Sequence, residues 1–347
     1  MAFGVGNRAY CGIGFETAWG TKNTDLTDSA SNSPWIDVNS ETITDDERVL
    51  RSSSLTGVAP LTNKVAQGPR GITGDVVWTP NMNCETIHRL FYAAMGSYRS
   101  VGSSDAEYRP AVSLPGVTIE SHLDRTAIRY YGGALTQLRG TVSPDSFFDI
   151  TSSWIFKDFD VIAYVDYATR TFDGADKDTL VRSDFLTTAT WEVSGADLYD
   201  MGVKVREFEF FYDNRLNPDR RVLGSRLIKE PDRTDRLNTG GRAVIEFEDI
   251  TLFYDYYSAN QGEMRFTFST GDITGSAGTP YMLDLLWPRA EIRSGTPTVN
   301  SFGLITVEVE WEGLQGVTGV AVDDAAFVAT ITSDAATVSA ATDSFPA

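Results

Sequence analysis

Basic residues run out before the chain does. After Arg293 there is neither lysine nor arginine, while Glu308, Glu310, Glu312, Asp323, Asp324, Asp334 and Asp343 follow. Over all 347 residues, 29 basic side chains face 48 acidic ones, a formal charge of −19. That deficit excludes ordinary nucleic-acid binding, which depends on Lys and Arg contacts to phosphate, and it favours solubility. Any relation to DNA has to be one of non-adhesion.

Histidine and cysteine are nearly absent. His88, His122, Cys11 and Cys84 are the whole stock, too few and too scattered for a metal centre. The cysteines fall in a glycine-rich start and on a predicted helix, so no disulfide is expected; His88 reads as a half-buried packing residue. No run approaches the eighteen or more apolar residues of a membrane span. The opening Met-Ala-Phe-Gly-Val-Gly-Asn-Arg has no basic n-region or apolar h-region, so the chain reads as made and used in a cytoplasm.

Catalytic patterns are missing as well. Gly68-Pro69-Arg70-Gly71-Ile72-Thr73-Gly74 lacks the Gly-Lys-Ser/Thr ending of a phosphate loop and precedes a strand. Asp213-Asn214 with Asn217 and Asp219 lacks the glycine and closing glutamate of a calcium loop. The neighbouring acids Asp45/Asp46 and Asp323/Asp324 would point in alternate directions along a strand and could not face one glycosidic bond. The sequence reads as that of a protein that is not an enzyme, with no catalytic, cofactor-binding or metal-binding residue.

What is present is sheet-forming sequence. Aromatics make up 12% of residues and Val, Ile and Thr are abundant. Strands are predicted over residues 35–43, 72–78, 117–120, 126–131 and 147–156, and again over 203–211, 243–247, 264–269, 281–286 and 304–312. Residues 84–95 predict a helix, with Asn83 as cap, Glu85 in the first turn, Gly96 as stop, and a stripe of Cys84, Ile87, Phe91 and Ala94/Met95. A second helix is predicted over 250–258. The switch in apolar phase from Val203/Val205 to Phe208/Phe210 predicts a β-bulge near Arg206-Glu207. Residues 97–115 read as a loop.

The second half repeats the plan of the first. Arg48-Val49-Leu50 and Gly68 recur as Arg221-Val222-Leu223 and Gly241, an offset of 173; Gly140-Thr141, Ile150-Thr151 and Trp154/Phe156 recur as Gly295-Thr296, Ile305-Thr306 and Val309/Trp311, an offset of 155. The expected organisation is an arm over residues 1–34, a first domain over 35–165, a linker and surface excursion over 166–200, a second domain over 201–315, and an arm or final strand over 316–347. The expected fold is mainly β, sandwich-like or barrel-forming sheets with one flanking helix per domain. Trp154, Phe156, Ile305, Val307, Val309 and Trp311 are its candidate core. Glu308, Glu310 and Glu312 share the opposite face of the last predicted strand, either as a plain solvated face or as an acidic wall.

The layout resembles the tail tube (major tail) proteins of long-tailed, siphovirus-like bacteriophages, in the large form with two fused tube domains. The residues that carry this are Gly12-Ile13-Gly14-Phe15-Glu16-Thr17-Ala18-Trp19-Gly20-Thr21, then Gly71-Ile72-Thr73-Gly74-Asp75-Val76 leading to the helix ending Ala93-Ala94-Met95-Gly96. The third is Phe208-Glu209-Phe210-Phe211-Tyr212-Asp213-Asn214-Arg215-Leu216, followed by Leu223-Gly224-Ser225. The resemblance covers residues 12–312. Asp213-Asn214 departs from the paired asparagines expected in that turn.

The resemblance implies a structural virion protein whose tube domains surround a ring six at a time, their inner sheets joining around a channel for DNA leaving the head. Two domains per chain then imply three copies per pseudo-sixfold ring, or a hexamer if each chain counts once. It also implies stacked rings, contacts with tail terminator, distal tail and tape-measure proteins, DNA that transits without specific binding, no membrane, and assembly in the host cytoplasm. Glu308, Glu310 and Glu312 would face the lumen. The alternatives left by the residues are a β-sandwich carbohydrate-binding or adhesin module and a glycoside hydrolase.

Overall fold

The computed structural model describes residues 9–24, 26, 34–51, 65–101, 104–170, 172, 177–193, 198–201, 204–247, 251–274, 278–297, 305–315 and 325–334. The expectations for most of the polar stretch 21–33, for the start of the 203–211 strand, for Asp323/Asp324 and for most of the tail after Gly316 lie outside them.

The fold is mainly β. In chain order come β1 (Ala9–Phe15), β2 (Trp35–Ile36), β3 (Ser40–Glu41), β4 (Thr44–Arg51), β5 (Val65–Trp78), α1 (Glu85–Met95), β6 (Gly96–Val101), β7 (Asp105–Pro110), β8 (Val117–Leu123), β9 (Ala127–Val142), β10 (Asp149–Phe156) and β11 (Asp158–Ile162). There follow β12 (Leu186–Val193), β13 (Tyr199–Asp200), β14 (Val205–Asp213), β15 (Asn238–Glu246), α2 (Thr251–Tyr257), β16 (Gln261–Thr274), β17 (Pro280–Ser294), β18 (Thr306–Gly313) and β19 (Val328–Thr332).

Seven antiparallel strand pairings of the first half recur in the second, while β3 with β5 and β6 with β7 occur in the first alone among the described residues. In the first half β1 pairs with β2 and β8, β4 with β5, β5 with β10, and β9 with β8, β10 and β11. In the second half β12 pairs with β13 and β16, β14 with β15, β15 with β18, and β17 with β16, β18 and β19. Two pairings join the halves, β9 with β14 and β7 with β19. One sheet therefore runs β4-β5-β10-β9-β14-β15-β18-β17.

Alternation gives this sheet a dry face and a wet face. Ile150, Trp154, Phe156, Phe208, Phe210, Val307, Val309 and Trp311 are buried, while Ile305 is half-buried. Aromatic rings interlock across the halves, where Phe148 stacks on Phe210 with centroids 6.0 Å apart, and within the second half, where Phe266 stacks on Trp311 at 5.2 Å. Such packing combines large buried areas with favourable offset geometry.

Several local expectations are corrected. The arm expected over residues 1–34 contains β1, which is buried and pairs along its length with β8. Residues 97–115 hold a hairpin, β6 with β7, and not a loop alone. The excursion over 166–200 contains β12, paired to β16. The helix is capped by Cys84, whose Sγ accepts from Thr86 N at 3.4 Å, where Asn83 was expected. Gly96 ends it in the left-handed region at φ 79°, a conformation glycine adopts without steric cost. Every residue of α1 is buried, polar ones included, so the stripe is only part of its contact. Arg89 makes this tolerable, donating to Glu85 at 2.8 Å and to the Ile13 carbonyl at 3.0 Å. His88 is 3% exposed, not half-buried.

The bulge expected near Arg206-Glu207 is present: the β14–β15 register shifts between Val205 and Glu207. Gly240 and Gly241 lie inside β15, not before it. Arg221-Val222-Leu223 falls in a turn, whereas Arg48-Val49-Leu50 lies in β4. In the pairing lattice Gly241 sits opposite Trp311, and the residue opposite Phe156 is Ile72, so Gly68 is not its counterpart.

Candidate functional site

The wet face of the long sheet collects the charges that alternation sends away from the core. On β18, Glu308 and Glu310 are exposed and Glu312 is half-buried. Their neighbours are basic. Arg242, opposite Glu310 on β15, forms an ion pair with Glu308, whose carboxylate pushes the guanidinium pKa further up. Arg293 on β17 reaches Glu312 with Nη2 at 2.7 Å. Across the joint between the halves, Arg139 of β9 meets Glu209 of β14 at 2.7 Å. The equivalent positions of β10, Thr151 and Ser153, are half-buried and neutral. The three glutamates are thus together on one face, but two of them are neutralised in pairs, a feature that sequence spacing on one strand does not display.

A shallow depression opens on this face where the halves meet, lined by Thr141, Phe147, Asp149, Glu207, Glu209 and Arg242. Among the described residues no three His, Cys, Asp or Glu side chains are grouped as a metal would need. Cys11 and Cys84 are buried free thiols; burial pushes the Cys11 thiol up to about 12. His122 is enclosed, stacked on Tyr10 at 4.4 Å, with Nε2 3.3 Å from Glu120. Among the described residues no helix is long and apolar enough to cross a membrane.

Two residues of the resembling segments have structural work that composition did not reveal. Glu16 is 3% exposed and accepts from Gly132 N at 2.7 Å, Thr118 Oγ1 at 2.8 Å and Gly20 N at 2.6 Å, tying the end of β1 to β8 and to the middle of β9. Burial raises its pKa against these three donors. Asn214 is wholly buried at the end of β14 and donates from Nδ2 to Ala94 O at 2.8 Å and Leu135 O at 3.0 Å, while Oδ1 accepts from Arg233 at 2.8 Å. One side chain of the second half thereby closes the last turn of α1 and meets β9 in the first.

No individual curated protein matches this sequence. The sequence profile described as "Phage tail tube protein" matches residues 6–313, a span that takes in every strand but β19, including the β9–β14 joint and the wet face. A mainly β chain with an open, edge-exposing sheet and a match of that extent belongs to the phage tail tube protein family, structural components of the virion tail that assemble into a tube.

Proposed function

We propose that the chain is two tube domains fused in tandem, 35–165 and 201–315 at their centres, and that three chains close a pseudo-sixfold ring whose stacking builds the tail tube of a long-tailed phage. The observation that carries this is the doubled pairing set: seven strand pairings occur once in each half, and the β9–β14 pairing joins the two sets within one chain. The eight-strand run ends on β4 and on the last residues of β17 that β16 leaves uncovered; such unpaired backbone groups invite a partner, and closure into a ring removes them.

Geometry supports the ring size. Three chains supply twenty-four strands to one barrel; at about 4.8 Å between strands and roughly 40° of tilt the backbone diameter is on the order of 45–50 Å. Side chains reduce that by about 10 Å, leaving a bore that passes a duplex whose grooves are each about 8 Å deep. The wet face is the lumen wall in this reading, with Glu308, Glu310 and Glu312 on it; an excess of carboxylates keeps DNA from adhering as it leaves the head. Rings form in the host cytoplasm and meet terminator, distal tail and tape-measure proteins at the tube ends and in the bore.

Electron microscopy of the purified protein tests the reading. Stacked rings with threefold symmetry and a central channel are expected; sixfold rings of six chains would overturn the fused-domain stoichiometry, and single chains at high concentration would overturn the tube.

A further inference from the structure

The two joints between the halves cover two strands of the second half and leave their counterparts in the first half open. β14 carries β9 along its outer edge, Phe208 to Asp213 against Val142 to Gln137, and β19 carries β7, Ala329 to Thr332 against Tyr108 to Asp105. In the first half β4 holds the place of β14, paired to β5 as β14 is to β15. Likewise β11 holds the place of β19, paired to the start of β9 as β19 is to the start of β17. Neither β4 nor β11 has a second neighbouring strand among the described residues.

Burial follows the same division. Phe208, Phe210, Tyr212, Ala329 and Ile331 are buried on the covered strands. On the open ones Asp45, Asp46 and Glu47 are exposed, and Val49, Leu50 and Val161 are 51%, 56% and 69% exposed. The two open edges are one surface, since Arg70 donates from Nε to Asp45 of β4 at 2.9 Å and from Nη1 to Asp158 of β11 at 2.6 Å, with its guanidinium 4.3 Å from the Phe159 ring centroid.

The strand that would continue the pattern is also present. On β9, the side that β8 leaves after Gly133 is taken up by β14 from Gln137 onward. On β17, β16 pairs as far as Glu291, and beyond it Ile292 and Ser294 are paired only to β18 among the described residues. Arg293, the last basic residue of the chain, stands at that end, paired with Glu291 and Glu312; on β4, Asp45 is paired with Arg70 and Glu47 with Arg226, and Asp46 between them is exposed. α2 lies in the place of α1 but leads straight into β16 without a hairpin like β6–β7, and its Tyr254 and Tyr257 are 58% and 79% exposed.

We propose that the joined edge of β4 and β11 is the docking face for a second copy of this chain, which lays the end of its β17 antiparallel along β4 and sets its α2 against β11. The proposal rests on the tube reading and adds to it which strands meet between chains, and that the between-chain contact is chemically unlike the within-chain one: β4, which has no aromatic residue, replaces aromatic β14, and exposed tyrosines replace the hairpin. A ring then alternates two kinds of joint.

Backbone amide hydrogen exchange, compared between assembled and dissociated protein, tests it. Peptides covering β4 and β11 should exchange at least ~10-fold more slowly once assembled. The double variant Asp46→Lys/Val161→Lys, altered only at exposed positions, should keep the wild-type far-UV spectrum and sediment as single chains. Assembled protein with β4 and β11 exchanging at the single-chain rate, or a double variant that assembles like wild type, would overturn the docking face while leaving the tube intact. A wild-type chain that never self-associates would overturn both.

Discussion

Asn214 donates to the carbonyl of Ala94 across 120 residues of sequence, at 2.8 Å, from a position with no solvent exposure. The carbonyls of a helix's last turn need partners from outside the helix, and here one comes from the other half of the chain. Asn214→Leu keeps the volume but leaves Ala94 O, Leu135 O and an Arg233 donor unanswered. At about 1–3 kcal/mol for each buried group left without a partner, the expected loss is at least ~3 kcal/mol. Urea unfolding should show a lower midpoint at unchanged slope; a midpoint within error of wild type would mean the joint does not depend on this residue.

Trp311 and Glu310 are sequence neighbours with opposite expectations. Trp311 is 2% exposed and packs on Phe266 and Trp287, with centroids 5.2 and 5.3 Å away. Trp311→Ala should cost about 3–5 kcal/mol. Glu310→Gln alters an exposed side chain and should change stability by less than ~0.5 kcal/mol. Equal effects in calorimetry would place the strand in the wrong phase.

That phase was legible because β18 alternates apolar and acidic residues without interruption, and a period of two is a strong signal. The bulge in β14 was legible for the same reason, as a break in the period. What alternation cannot report is pairing partners. β1, with its Gly12 and Gly14, reads as an arm until β8 lies beside it. β6 and β7 read as loop because Gly96, Ser97, Ser100 and Pro110 dilute the β signal, and β7 is fixed from outside by β19. The ion pairs of Arg242 and Arg293 with the glutamates depend on strand neighbours 66 and 19 residues away. Offset matching failed at Gly68 because insertions shift β5 and β15 by different amounts from β10 and β18.

Gly140 lies in β9 at the joint, and a Cβ there would come 2.2 Å from Phe210 Cε1 and 2.6 Å from Phe148 Cζ. The two rings stack on each other at 6.0 Å and belong to different halves. Gly140→Ala therefore forces them apart at an expected cost of about 1–3 kcal/mol. Adding Phe210→Leu should make the pair less destabilised than the sum of the singles, by more than ~0.5 kcal/mol in a double-mutant cycle. Strict additivity would show that the clash is relieved elsewhere.

His88 is held by Tyr108 at Nδ1 and Ser333 at Nε2, each 2.7 Å away, and burial lowers its pKa to about 3. The folded pKa lies below the unfolded value near 6.5, so the unfolded chain binds the extra proton. The stabilisation from keeping the ring neutral is complete above about pH 6.5 and is lost as pH falls toward 3, at up to ~1.4 kcal/mol per unit. His88→Asn should lower stability at pH 8 yet flatten the slope between pH 6.5 and 4 by about one proton. An unchanged slope in denaturation across that range would assign the acid sensitivity to other groups.

Glu308 and Glu310 decide whether the wet face acts on DNA by charge. Replacing both with lysine changes the face by four charges per chain, removes the partner of Arg242 and sets three cations close together. All three positions point away from the core, so folding and tube formation should persist. If the wet face lines the bore as proposed, DNA transit should slow, because lysines there exchange condensed counterions for phosphate contacts. Raising the salt should then restore transit in the variant more than in wild type, since exposed charges are screened beyond a Debye length that is about 10 Å at 0.1 M and shorter at higher salt. Ejection from phage carrying the double variant, followed by dye fluorescence at two ionic strengths, measures both effects. Wild-type kinetics at low salt would remove these glutamates from any part in keeping DNA off the wall, and would leave the Arg242 pair as an ordinary contact between neighbouring strands.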